Sequence, residues 1–200
     1  MKNLITTITL FALFIMSVNA QLVIDDFTTG EIEKLTFKDR VGERFLQTGE
    51  NIIGKVRQIS SKLNQNPFGQ NMQLSIKDGL LVMTYAYDTR GTTYVNYGVD
   101  KNGNAPLNLE LSKYKTLKIK FSAKSTVNGI YVSLFTGTSR GVFSKHIPAR
   151  EGEFTFEIPL NEIKKIGEKY NLKDIDYIRL QFDSRSKTGC NMAIDKIWFE

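Results

Sequence analysis

The chain of 200 residues is 41% hydrophobic and 24% charged, with one cysteine, one histidine and a formal net charge of +6. That balance excludes a disordered chain, a collagen-like repeat and a disulfide-stapled scaffold. A lone cysteine, Cys190, makes no internal disulfide and a lone histidine, His146, no multi-histidine metal centre, so packing must carry the stability.

The chain opens with Lys2, a mostly apolar run from Leu4 to Val18, and small residues at Val18-Asn19-Ala20. This pattern predicts a signal peptide over 1–20, and hence a secreted or periplasmic protein with a single domain over 21–200. Gln21 stands where a bacterial lipoprotein carries its acylated cysteine, which argues for a mature chain without a lipid anchor. No second apolar run approaches the roughly 20 residues of a spanning helix.

Beyond residue 20, apolar and polar residues alternate with period two, as half-buried strands require. Strands are predicted at Leu22–Phe27, Ile53–Ser60, Met72–Ile76, Leu80–Tyr87, Thr92–Tyr97, Val142–Ile147 and Met192–Phe199. The alternation is clearest in Leu117-Lys-Ile-Lys-Phe121, Ile130–Phe135, Phe154–Ile158 and Tyr177–Asp183. Asp78-Gly79 predicts a tight hairpin, and Asn102-Gly103, Asn128-Gly129 and Glu151-Gly152 punctuate later runs. Ile163, Ile166 and Tyr170 keep helical spacing behind Asn161, which predicts one short helix near 161–170, and Glu31 to Gln47 reads as weakly helical or irregular. With no β-α-β alternation, some ten short strands specify an all-β fold: an antiparallel β-sandwich of jelly-roll type.

The catalytic motifs are weak. Gly137-Thr-Ser-Arg-Gly141 matches a nucleophile elbow, but alternating residues follow it, so a strand replaces the required helix and a hairpin loop is the better reading. Asp100-Lys-Asn-Gly-Asn104 resembles the start of a calcium loop but lacks the later glycine and glutamate, which favours a polar turn. Glu151, Glu153 and Glu157 carry no compact signature of a glycosidase. No catalytic residue is assigned.

Two surfaces offer recognition chemistry. Lys118 and Lys120 share a strand face that could meet an acidic polysaccharide, or simply protect a sheet edge. On the faces opposite the apolar alternation, Tyr131, Ser133 and Phe135 lie on one strand and Tyr177, Arg179, Gln181 and Asp183 on another. If those strands share a sheet, rings for stacking and groups for hydrogen bonding adjoin, as a sugar needs. Otherwise this face packs under the N-terminal segment or forms a second core layer. Nucleic acid is excluded as a partner by export and by the lack of any nucleic-acid-binding motif.

Val23-Ile-Asp-Asp-Phe27, Ile53-Gly-Lys-Val-Arg57, Tyr97-Gly98, Leu107-Asn-Leu-Glu-Leu-Ser-Lys-Tyr114 and Ile194-Asp-Lys-Ile-Trp-Phe199 occur in this order. Together they resemble the galactose-binding-like jelly-roll superfamily, in particular family 11 carbohydrate-binding modules and exported bacterial β-sandwich proteins. The resemblance implies glycan binding on a concave sheet. It also implies a structural calcium near the paired terminal strands, with Asp25, Asp26 and Asp195 as its ligands; pairing with lysine or capping of backbone amides is the competing role for those carboxylates. Trp198, in the last strand, suits core packing or sugar stacking alike.

The expected function is that of an exported, non-catalytic module that recognises a poly- or oligosaccharide and requires no cofactor. The alternatives are a structural or adhesive protein with an envelope-protein partner, and a polysaccharide lyase or hydrolase using His146, a tyrosine or paired acids.

Overall fold

The computed structural model describes residues 21–38, 42–122, 128–147, 149–184 and 189–200. The expected signal peptide lies outside them, as do Lys124 and residues 185–188. Two seven-stranded antiparallel sheets stack face to face. Sheet A runs β13 (Phe154–Pro159), β10 (Thr116–Phe121), β16 (Cys190–Phe199), β6 (Leu80–Tyr85), β5 (Met72–Lys77) and β2 (Ile32–Phe37), with β1 (Leu22–Asp25) pairing with the end of β16. Sheet B runs β14 (Lys164–Ile166), β12 (Ser139–Ile147), β11 (Asn128–Thr136), β15 (Tyr177–Ser184), β7 (Arg90–Tyr97), β4 (Val56–Gln65) and β3 (Glu43–Thr48). A two-stranded ribbon, β8 (Val99–Asp100) with β9 (Gly103–Asn104), overhangs one end. This is the antiparallel sandwich that the alternation demands, and among the described residues no helix is long and apolar enough to cross a membrane.

The core forms because the apolar halves of the strands face each other. Leu117, Ile119 and Phe121 of β10 and Ile194, Ile197 and Phe199 of β16 are fully buried on sheet A. Ile130 and Leu134 of β11 and Leu180 of β15 are fully buried on sheet B. Each such side chain contributes about 1.5–3 kcal/mol when removed from water. Cys190 is buried as the first residue of β16, opposite Tyr85.

Two local expectations are corrected. The segment read as helical or irregular, Glu31 to Gln47, supplies among its described residues β2 to one sheet and β3 to the other, with Ile32 and Phe37 buried. Near 161–170 the short helix gives way to a single 3-10 turn, Leu160–Glu162, followed by the edge strand β14. Ile163 and Tyr170 do reach the core, but by lying over Gly141, where a Cβ would come within 2.5 Å of the Ile163 methyl and 2.3 Å of the Tyr170 ring. Ile166, the third member of the helical pattern, is exposed. Backbone pairing with β12 outweighs a weak helical preference.

Two predicted turns close as two-residue hairpins, whereas Asn128-Gly129, expected as a turn, lies inside β11 opposite Ile147 and His146. Lys77 faces Leu80 around Asp78-Gly79, and Thr136 faces Ser139 around Gly137-Thr138, so the serine motif is a hairpin loop. Asp100 accepts the Asn102 amide at 2.7 Å inside the β8–β9 turn.

One polar cluster crosses the core. Arg57 of β4, with no exposed surface, donates to both oxygens of Asp25 at 2.7 and 2.8 Å and to the carbonyls of Thr29 and Gly30. Asp25 also accepts the Tyr97 hydroxyl at 2.9 Å and the Phe27 amide at 2.9 Å. Burial pushes the Asp25 carboxyl above its ordinary value, while Arg57, the Phe27 amide and Tyr97 pull it back. The pair ties the N-terminal strand of sheet A to two strands of sheet B. Removing one partner strands the other charge in the core, so Asp25→Ala is expected to destabilise the fold by about 3–5 kcal/mol. Urea unfolding of that variant measures the loss; a change below about 1 kcal/mol contradicts the assignment.

Candidate functional site

The outer face of sheet B is built by three strands in continuous register. Tyr131 of β11 lies opposite Gln181 of β15, Ser133 opposite Arg179, and Phe135 opposite Tyr177. On the other side of β15, Arg179 faces Asn96 and Gln181 faces Tyr94, both of β7. Asn96 in turn faces Gln58 of β4, and Tyr94 faces Ser60. The residues named from the two alternating strands therefore do share one sheet face, which is partly exposed, while β1, the first described strand, pairs with sheet A instead.

Arg179 stands at the centre. Its Nε donates to Asn96 Oδ1 at 3.1 Å and a terminal nitrogen donates to the Tyr177 hydroxyl at 3.1 Å. Its guanidinium carbon lies 5.6 Å from the Tyr94 ring centroid, 5.5 Å from that of Tyr177 and 6.0 Å from that of Phe135. Phe135 and Tyr177 meet edge to face with centroids 5.1 Å apart. Asn96, only 2% exposed, forms the floor and donates to Gln58 Oε1 at 3.2 Å. Beside them Gln181 donates to Asp183 at 3.0 Å. Burial raises the Tyr177 phenol, against which Arg179 and Arg44 pull it down by stabilising the phenolate.

Above this floor lies a cleft of about 830 Å³, open to solvent. Its far wall is the turn after β7 and the β8–β9 ribbon, its near rim the hairpin at Gly137-Thr138, and Arg44 of β3 and Arg140 of β12 stand at its sides. Gly98, at φ +87°, lets the wall approach: a Cβ there would fall 2.3 Å from the Asp176 carbonyl. Asp176, the one carboxylate among the cleft's described lining residues, accepts the Gly137 amide at 2.7 Å.

The structure does not bring Lys118 and Lys120 to this cleft. They belong to β10 and face outward from sheet A, where Lys118 pairs with Glu157 and Glu200, and Lys120 with Glu153 and Asp195. Trp198 shares that face, largely covered, with the Lys196 ammonium 5.3 Å from its ring. Nor do the three carboxylates named for calcium converge. Asp25 is held by Arg57 inside the core, Asp26 accepts the Thr28 amide and hydroxyl, and Asp195 binds Lys120 at 2.7 Å on the outer face. They do not fit a shared calcium site, and no group of three or more histidine, cysteine or acidic side chains suited to a metal occurs among the described residues. His146 is exposed on β12, six residues and thus about 20 Å of strand from Arg140.

Sequence reasoning missed Tyr94, Asn96, Gln58, Arg44 and Arg140. The first three alternate with buried Val95, Tyr97 and Ile59, a usable signal, but Thr92–Tyr97 carries a tyrosine on both faces and so hides which one is inward. Arg44 fell in the segment read as irregular, and Arg140 inside the rejected serine motif. Asn96→Ala leaves Arg179 Nε and Gln58 without their partner, and is expected to cost about 1–3 kcal/mol in urea unfolding; an unchanged midpoint contradicts the floor role given to Asn96.

No protein-family model matches the chain, and no curated protein does. Among solved structures it is similar to the family 11 carbohydrate-binding module of the cellulosomal cellulase Lic26A-Cel5E of Clostridium thermocellum, at 15% identity over 92% of this chain and 95% of that one, with a TM-score of 0.44. A family 29 carbohydrate-binding module from Piromyces equi is similar at 14% identity over 84% and 91%, with a TM-score of 0.37. An agarase, AgWH50C, is similar at 9% identity over 91% of this chain and 25% of that enzyme, with a TM-score of 0.47.

Proposed function

We propose that the outer face of sheet B binds a poly- or oligosaccharide and that the protein is an exported, non-catalytic recognition module. The observation that carries this reading is the cluster of Tyr94, Tyr177 and Phe135 around Arg179 in an open cleft floored by Asn96. Sugar rings present apolar C–H faces and a rim of hydroxyls, so they need flat aromatic surface beside fixed hydrogen-bonding groups. Arg179 and its neighbours are locked by one another before any ligand arrives, which lowers the ordering cost of binding.

The non-catalytic part rests on the acids. Hydrolysis of a glycosidic bond ordinarily takes two carboxylates flanking the bond. The described lining of the cleft supplies Asp176 alone, while Glu153 and Glu157 pair with lysines on the opposite sheet. Export rests on the residues before Gln21.

A glycan panel tests the reading. The protein is expected to bind at least one polysaccharide without releasing product. Tyr94→Ala and Arg179→Ala are each expected to weaken that binding roughly tenfold, a loss of about 1.4 kcal/mol. Lys120→Ala on sheet A serves as the control and is expected to change nothing. Binding that survives both cleft substitutions in a protein of unchanged melting temperature defeats the site, and capture of an envelope protein with no glycan signal replaces the reading.

A further inference from the structure

The charges of the two outer faces are arranged differently. On sheet A, Lys118 and Lys120 each meet two carboxylates. On sheet B, Arg44, Arg140 and Arg179 all line the cleft, and among the described residues none of them forms a salt bridge. Asp176, the only acid of that lining, turns one oxygen to the Gly137 amide. Arg44 and Arg140 are exposed, whereas Arg179 is partly buried against the rings. Past Arg140 lies a separate, smaller hollow of about 410 Å³, lined by Tyr131, Ser133 and Gln181, where Lys164 stands with Glu162.

We infer that the ligand is an anionic polysaccharide, whose carboxylate or sulfate groups are met by Arg44, Arg179 and Arg140 along one track across sheet B. The inference rests on the carbohydrate reading above and narrows it to a substrate class. A neutral glycan leaves three guanidiniums with only hydroxyls to meet. An acidic one gives each a partner with the planar or tripodal oxygens that a guanidinium fork matches. The spacing suits a polymer. From β3 to β12 the track crosses five interstrand gaps, β3–β4–β7–β15–β11–β12, or about 24 Å of backbone, room for several sugar rings. The centre and the sides divide the work: Arg179, fixed by Asn96 and Tyr177, sets register, and the exposed Arg44 and Arg140 add attraction that salt screens. The net charge of +6 favours the same encounter at long range.

The test compares the protein with R44Q/R140Q, a double variant of exposed side chains, against two pairs of polymers. One pair is a polyuronate and its methyl-esterified form; the other is a sulfated galactan and its desulfated form. The expected result is preferential binding of at least one charged member, weakened by raising salt from low to physiological strength. The double variant is expected to lose roughly tenfold in affinity for that polymer, with melting temperature unchanged. Preference for the polyuronate assigns a carboxylate ligand, and preference for the sulfated galactan a sulfate. Equal or tighter binding of the neutral members, or binding indifferent to salt and to R44Q/R140Q, overturns the inference while leaving the carbohydrate reading in place. Failure to bind any polysaccharide, these four or a wider neutral panel, overturns both.

Discussion

The site depends on uninterrupted pleating. A strand sends alternate side chains to opposite faces, and one inserted residue exchanges the faces for everything beyond it. The β11–β15 and β15–β7 ladders run without a register shift, so polar and aromatic residues on three strands align into rows across the sheet. The shift between β4 and β7 falls at Leu63 and Gln65, beyond Gln58 and Ser60 and clear of the cleft. Sheet A tolerates irregularities where β16 meets β1 and β10, next to the ion-paired lysines.

Two arginines show how surroundings decide what the same side chain does. Arg57 is enclosed by Asp25, two carbonyls and Gln47, and spends its hydrogen bonds on joining the sheets. A buried pair of this kind adds little net stability over apolar packing, yet it fixes which strands meet, because only one arrangement satisfies both charges. Among the described residues Arg179 has neutral partners alone: an amide, a phenol and three rings. Its charge is held in place without being neutralised, which is the condition for acting on something outside the protein.

The architecture was legible because period-two alternation is a direct record of burial on one side of a sheet. The same pattern placed Tyr131, Ser133 and Phe135 on one strand face and Tyr177, Arg179 and Gln181 on another; that β11 pairs with β15 is set by the tertiary structure. What escaped was information carried by tertiary neighbours. Lys118 and Lys120 alternate as cleanly as the cleft residues, and nothing in the strand itself says that β10 joins sheet A or that Glu153, Glu157, Asp195 and Glu200 come to meet them. Asp25 was a calcium candidate through the resemblance alone; in the folded chain its cation is Arg57, 32 residues away. Ile163, Ile166 and Tyr170 kept helical spacing, but the edge of β12 and the bare backbone of Gly141 made a strand and a close approach the better use of that segment.

The most direct measurement is the backbone-amide and side-chain NMR shift map of the protein titrated with a polysaccharide that it binds. The account predicts that perturbations follow β7, β15 and β11, with the Asn96 amide and the Arg179 Nε–H among the largest, and leave β10, β13 and β16 still. Perturbations gathered on the outer face of sheet A, around Lys118 and Trp198, would contradict it.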